Sequence, residues 1–149
     1  MNPDVWRAFF FYNYFEMRSF HRGADNPMNR SDAVAAYLNT AQALLHGLRA
    51  CLSLEREPYP YDKWLWRYAS QTETGERLAP HVNRIMDHLA DDTLRFSGPE
   101  SDNSLSQELR EIRGVLIESA RQSGIDEPWL VRWWEHINQA RSATANVRW

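Results

Sequence analysis

Ser31-Asp32-Ala33-Val34-Ala35-Ala36-Tyr37-Leu38-Asn39-Thr40-Ala41-Gln42-Ala43-Leu44-Leu45-His46-Gly47-Leu48-Arg49-Ala50-Cys51-Leu52-Ser53-Leu54 reads as one amphipathic helix. Val34, Leu38, Ala41, Leu45, Leu48 and Leu52 recur at steps of three and four residues, the spacing that lines up one helical face, and they are the expected core stripe. Asn39, Gln42, His46, Arg49 and Ser53 share the opposite face. Such a face is solvated or, inside a cleft, offers donors and acceptors to a polar ligand. Ser31 is the expected N-cap, with Asp32 in the positive first turn.

The same period continues on both sides of this helix, and no strand pattern interrupts it. Upstream, a helix is expected from about Asp4 to Arg22, opened behind Pro3 and closed by Gly23, with the turn-rich Ala24-Asp25-Asn26-Pro27-Met28-Asn29 as a loop. Trp6, Phe10, Met17 and Phe20 form one stripe of it, while Phe9, Phe11, Tyr12 and Phe15 fall on other faces. A helix apolar nearly all round has to be covered on more than one side, as a central helix or as an interface for a partner domain or a second copy. Downstream, a helix from about Arg77 to Ala90 has Pro80 in its first turn and Leu78, Val82, Ile85 and Leu89 inward. Ser97–Asn103 reads as a loop. Leu105–Ser123, closed by Gly124, and Pro128 to about Ala140, with Trp129, Trp133, Trp134 and Ile137 on one aromatic face, complete the set. The expected fold is therefore all-α, an antiparallel helical bundle of about five to six helices in a single domain over 1–141, with a C-terminal tail at 142–149 that Trp149 can dock.

Composition narrows the function classes. The 149 residues are 43% hydrophobic and 25% charged, a globular balance, and no run reaches the roughly 20 apolar residues of a membrane span. The oily stretch Trp6–Phe15 is followed directly by Glu16, Arg18 and Arg22 and by no small-residue cleavage site, so no signal peptide is read. A lone Cys51 excludes an internal disulfide and a multi-cysteine zinc site, in keeping with a cytoplasmic location. His81 and His88 lack a third ligand for a metal. A net charge of −3 gives no electrostatic case for nucleic acid as a partner. Sixteen arginines stand against the single lysine Lys63; a general arginine bias makes each arginine uninformative, and a lysine kept in that background can serve as a compact cation for phosphate or carboxylate, or be an ordinary surface residue.

Lys63 belongs to Glu57-Pro58-Tyr59-Pro60-Tyr61-Asp62-Lys63-Trp64-Leu65-Trp66-Arg67-Tyr68. The two prolines fix an extended approach, and a helix is expected to start near Tyr61 or Asp62, with Lys63 in its first turn beside unpaired backbone N–H groups. Trp64 and Tyr68 stand one turn apart, as do Lys63 and Arg67, so an aromatic face adjoins a cationic one. This suits a phosphate or a planar ring; aromatic packing with a salt-bridged rim is the alternative.

From Phe15 to Leu89 the chain resembles the helical C-terminal domain of bacterial nucleotidyltransferases of the polymerase-beta superfamily, the group that includes aminoglycoside and lincosamide nucleotidyltransferases. Arg18 followed by Ala24-Asp25-Asn26-Pro27, the amphipathic helix from Ser31, and above all Glu57–Leu65 carry the resemblance. It implies a substrate-side accessory domain that closes over a catalytic domain, in cis or in trans, with magnesium and a nucleoside triphosphate needed for the complete enzyme and no cofactor held by this chain. It implies Lys63 on phosphate and Trp64 on a ring, with Arg67 beside them and Arg18, Arg22 and Asn26 lining the cleft mouth. The Gly-Ser loop and paired aspartates of such catalytic domains are missing here: the sequence holds no Gly-Ser dipeptide and no Asp-x-Asp. This chain alone is therefore expected to bind rather than to transfer nucleotides.

Two other classes remain open. A helical ribonuclease or nucleotide-binding protein of the higher-eukaryote-and-prokaryote nucleotide-binding group would use an arginine and a histidine separated by four to six residues. Arg77/His81, Arg84/His88 and Arg132/His136 each have three between them, which shares a face but misses that spacing. A structural homodimer through the aromatic first helix is the other.

Overall fold

The computed structural model describes residues 3–29, 32–90 and 104–145, without the side chains of Pro3, Asn26, Met28, Asn29, Leu89, Ala90, Ser104, Arg141 and 143–145. The described residues form α1 (Pro3–Asn29), α2 (Ala33–Leu54), α3 (Asp62–Ala69), α4 (Glu73–Ala90), α5 (Ser104–Gln122), two short 3-10 turns (Pro128–Leu130 and Trp133–His136) and α6 (Ile137–Ala145). Among them there is no strand. The bundle is all-α, as the periodicity predicts. The N-cap of α2 is Asp32, one residue beyond the expected Ser31, whose own placement, like the side chain of Leu89, the Ser97–Asn103 segment and Trp149, lies outside the described residues.

Four boundaries differ from the sequence reading, each for a local reason. α1 does not stop at Gly23 but runs two turns further, through Pro27. Gly23 is a close-approach residue there: a Cβ on it would lie 2.7 Å from Asn39 Oδ1 on α2. Asp32 N–H then closes the turn onto the Pro27 carbonyl at 2.9 Å, and Asp32 is the N-cap of α2, its carboxylate accepting from Ala35 N–H at 3.1 Å. α4 begins a turn early, at Glu73, because the Thr72 hydroxyl accepts from Gly75 N–H at 3.0 Å. Pro80 is consequently interior to α4, on its exposed side. The expected final helix breaks into two 3-10 turns before α6, since the Leu130 carbonyl accepts from the Tyr14 hydroxyl instead of continuing a helical ladder. α6 then runs on to Ala145, past the expected start of the tail.

The core corrects the α2 stripe as well. Val34, Leu38 and Ala41 are exposed, and the face turned to α1 and α5 carries Ala36, Thr40, Ala43, Gly47 and Ala50. These small residues match bulk with space: a Cβ on Gly47 would sit 3.8 Å from the fully buried Met17 of α1 and 3.5 Å from Ile112 of α5. Each such fully buried side chain contributes about 2 kcal/mol through the area it removes from water. Leu48 and Leu52, at the C-terminal end of the expected stripe, are buried. α1 is the central helix: Trp129 meets Phe11 edge-on at 4.7 Å, Trp133 meets Phe15 at 5.6 Å, and the His46 ring stacks on Phe20 at 5.7 Å. The chain itself thus covers much of the aromatic surface of α1.

The expected polar face of α2 is also partly inside. His46 Nδ1–H donates to Asn13 Oδ1 at 3.0 Å, Asn13 Nδ2–H donates to the Phe9 carbonyl at 2.9 Å and to Tyr59 Oη at 2.5 Å, and the Tyr59 hydroxyl donates to Ser53 Oγ at 2.8 Å. Ser53 passes its own proton to the Arg49 carbonyl at 2.9 Å, so every donor finds an acceptor. Tyr59, between the two prolines, is the pin that fastens the 57–61 segment to α1 and α2.

Candidate functional site

Arg18, His21, Arg22 and Asp25 follow one another at steps that place them on one face of α1, because the helix continues beyond Gly23. Arg110 and Arg113 share a face of α5, and Trp133 and Trp134 come from the second 3-10 turn. Together they line a pocket of about 400 Å³, large enough for a small ligand. Four guanidinium groups against one carboxylate make it strongly cationic.

Most of these groups have no partner for their charge. Among the described residues Arg18, Arg22 and Arg113 form no ion pair, and the Nε atoms of Arg18 and Arg113 are buried without a hydrogen-bond acceptor. A buried guanidinium donor left open costs about 1–3 kcal/mol, so two in one wall need a reason. Burial pulls Arg18 down to about 10, with Arg113 adding to the shift and Tyr14 and Asp25 opposing it, and it stays cationic at neutral pH. Its guanidinium lies 5.7 Å from the centre of the Trp133 ring, whose other neighbour is Phe15. Trp134 is the ring left for a ligand, 49% exposed at the mouth.

The floor of the pocket is neutral and closed. The Ser106 hydroxyl donates to Asp25 Oδ1 at 2.9 Å, so His21 Nε2–H donates to Ser106 Oγ at 3.1 Å, and His21 Nδ1 is left as a buried, unpartnered acceptor. Burial holds His21 down to about 3, with Arg18, Arg113 and Arg110 reinforcing the shift. Ser106 is fully buried. A serine without access and a histidine this weakly basic make neither a nucleophile nor a general base at neutral pH. The arrangement presents open guanidinium donors, and neither His21 nor Ser106 is poised as a base or a nucleophile beside them.

The other predicted site residues are elsewhere. Lys63, Trp64 and Arg67 lie on α3, with Lys63 in its first turn as the sequence predicts. Lys63 Nζ and Arg67 Cζ each lie 5.5 Å from the Trp64 ring, and Trp64, Arg67, Tyr68 and Gln71 line a shallow recess of about 300 Å³. The structure joins Arg18 to Arg22, and Lys63 to Trp64 and Arg67, but no residue lines both recesses. Asn26 belongs to α1, with its side chain outside the described residues.

No protein family, curated protein or solved structure matches the chain.

The sequence reading assigns none of Arg110, Arg113, His21, Asp25, Trp133 and Trp134 to a site. The available signal was spacing: Arg18/Arg22 and Arg110/Arg113 are two arginine pairs, each on one helical face, hidden by the general arginine excess. A third recess, of about 590 Å³, between α1 and the Trp129 turn is bridged by the ion pair of Arg7 with Glu127, and none of the unpartnered buried polar atoms of the described residues lines it. The arginine–histidine pairs of the ribonuclease alternative are engaged: Glu108 of α5 accepts from Arg84 at 2.6 Å and from His81 at 2.8 Å, Arg77 binds Glu118 and Ser119, and Arg132 pairs with Glu135 at 3.6 Å. Burial works against the Glu108 charge, but the Arg84 and His81 hydrogen bonds outweigh it and hold its carboxyl below the usual range. Among the described residues no three His, Cys, Asp or Glu side chains come together as a metal-holding group. No helix of the described residues is long and apolar enough to cross a membrane.

Proposed function

We propose that this chain is a ligand-binding helical domain that serves as the non-catalytic half of a nucleotidyltransferase-like unit, and that its pocket between α1, α5 and the Trp133–His136 turn takes a molecule joining phosphate to a flat ring, as a nucleotide does. The observation that carries the reading is the pair of buried, unpartnered Nε donors of Arg18 and Arg113 in a wall that also holds Arg22 and Trp134. Phosphate offers several acceptor oxygens to forked guanidinium donors, and an indole at the rim offers a face to a base. The chemically silent floor of His21 and Ser106 supports a binding role, and a partner catalytic domain would supply the metal and its carboxylates.

Titration calorimetry with ATP, AMP, adenosine and tripolyphosphate at low ionic strength tests this. ATP is expected to bind saturably, tripolyphosphate more weakly, adenosine least, and added salt to weaken all but adenosine. Arg113→Ala should lower ATP affinity at least about tenfold, the loss of one charge-assisted contact, and Trp134→Ala should remove the advantage of ATP over tripolyphosphate. Lys63→Ala separates the two recesses. An affinity that falls with Lys63→Ala and not with Arg113→Ala moves the site to α3, and no saturable binding by any phosphate compound defeats the proposal.

A further inference from the structure

Among the described residues, the N-terminal two-thirds of α2 has an exposed apolar outer face. Val34 is 70% exposed and Leu38 64%, and Ala41 is exposed next to them. From Ala33 to Leu48 the helix carries no charged residue on any side. Monomeric surfaces break up such strips with charge; here Asp32 and Arg49 stand only at the two ends, and Arg49 is already neutralised by Asp62 at 2.7 Å. The strip runs into a mostly apolar recess of about 210 Å³, where Ala41, Leu44 and Leu45 are walled by Trp66 of α3 and the exposed Met86 of α4. Thr40, fully buried on the edge of this recess, has a hydroxyl without a hydrogen-bond partner.

We infer that this face is the contact between two copies of the chain, with the two α2 helices antiparallel about a two-fold axis near Ala41. The argument is self-complementarity. A protrusion, Val34 with Leu38, and a recess, centred on Leu44 to Leu48, lie on one helical face at equal distances along α2 on either side of Ala41. An isologous pairing seats each protrusion in the other copy's recess, as residue i meeting j requires j meeting i. Val34, Leu38, Ala41 and Leu45 are spaced by four, three and four residues, the seam that two helices share when they pair along their length, and the buried Leu48 lies beneath its end. Ala41 at the axis lets the backbones approach, antiparallel dipoles oppose, and the absence of charge between Asp32 and Arg49 spares the like-charge repulsion that a two-fold imposes on a charged face. This contact shares no residue with the arginine pocket, so the two readings stand or fall separately.

Sedimentation of the full chain from low micromolar to several hundred micromolar is the test. A monomer–dimer equilibrium is expected, and Leu38→Asp and Ala41→Arg should each raise its dissociation constant at least about tenfold, since each buries a charge without a partner. Both positions are exposed, so the melting temperature of the monomer should not fall. Ala41→Cys, beside the axis, should be joined to its own copy by a short bis-maleimide, with buried Cys51 silent and Val5→Cys on α1 as the unlinked control. A chain that stays monomeric at the highest concentration leaves the strip to another partner and overturns the inference. A dimer indifferent to Leu38→Asp and Ala41→Arg, or one in which residue 41 does not cross-link, overturns it as well.

Discussion

Arg18 is where stability and binding separate. Its guanidinium gains from the Trp133 ring, about 0.5–1 kcal/mol for a cation over an aromatic face in partial contact with water. It loses more, about 1–3 kcal/mol, through a buried Nε with no acceptor. The balance is unfavourable in the ligand-free chain, and an anion reverses it by supplying the acceptor. Replacing Arg18 by the similarly long, uncharged Met keeps much of the packing and removes the open donor. Arg18→Met should therefore raise the midpoint of urea unfolding, by about 1 kcal/mol, while it weakens ATP binding at least as much as Arg113→Ala does. A variant less stable than the parent would mean that Arg18 is held by interactions sufficient without a ligand, and the strongest reason for placing phosphate there would go.

Among the elements, the pairs α1–α2 and α3–α4 show what glycine does in this bundle and how far the sequence discloses it. Gly75 lies in the first turn of α4 directly over the end of α3, and a Cβ there would sit 1.7 Å from the Ala69 carbonyl oxygen. Gly47 lies mid-helix in α2, with the nearest atoms at ordinary contact distance, 3.5 Å and beyond. Gly75→Ala is accordingly expected to cost about 2–4 kcal/mol by forcing two backbones apart, whereas Gly47→Ala should gain about 0.5–1 kcal/mol from helix propensity. Thermal melts of the two variants decide it, and equal effects would show that the α3–α4 corner is looser than the distances say. Helix number and order were legible because period dominates in long elements. The face of α2 was not: a leucine stripe outranks a stripe of Ala36, Ala43, Gly47 and Ala50 on hydrophobicity, yet the large side chains of α1 need the small one. The end of α1 was misread for a related reason. Gly23 and Pro27 are chain breakers in isolation, but Asn39 opposite Gly23 and the Asp32–Pro27 hydrogen bond make the longer helix the better-satisfied arrangement. That extension is what puts Asp25 on the face of Arg18 and Arg22, so the candidate pocket could not be assembled from the predicted boundaries. The α3 cluster was legible since all of its residues lie within one helix.

At the scale of the whole molecule, two buried neutral histidines tie the central helix to its neighbours and make the bundle sensitive to acid. His46 joins α2 to Asn13 of α1, and His21 of α1 joins Ser106 of α5. Burial, helped by Arg49, lowers His46 to about 4, and burial with the nearby arginines lowers His21 to about 3, against 6.5 for the unfolded chain. Between these values and 6.5 the unfolded state binds protons that the folded state refuses, so stability is complete above about pH 6.5 and falls as pH drops towards 4 and 3. From pH 7 to pH 5 each histidine accounts for about 2 kcal/mol, a large part of the roughly 5–15 kcal/mol that holds a domain together. Glu16 runs the other way, since burial raises its carboxyl and protonation relieves it, but it is partly exposed and its effect is small. Urea unfolding at pH 7, 6 and 5 should show a falling midpoint, flattened by His46→Asn, which keeps a donor for Asn13, and by His21→Gln, which keeps one for Ser106. A midpoint unchanged between pH 7 and pH 5 would mean that both rings reach water in the folded state, and with it the closed floor of the pocket, the ground for reading it as a binding rather than a catalytic site, would be lost.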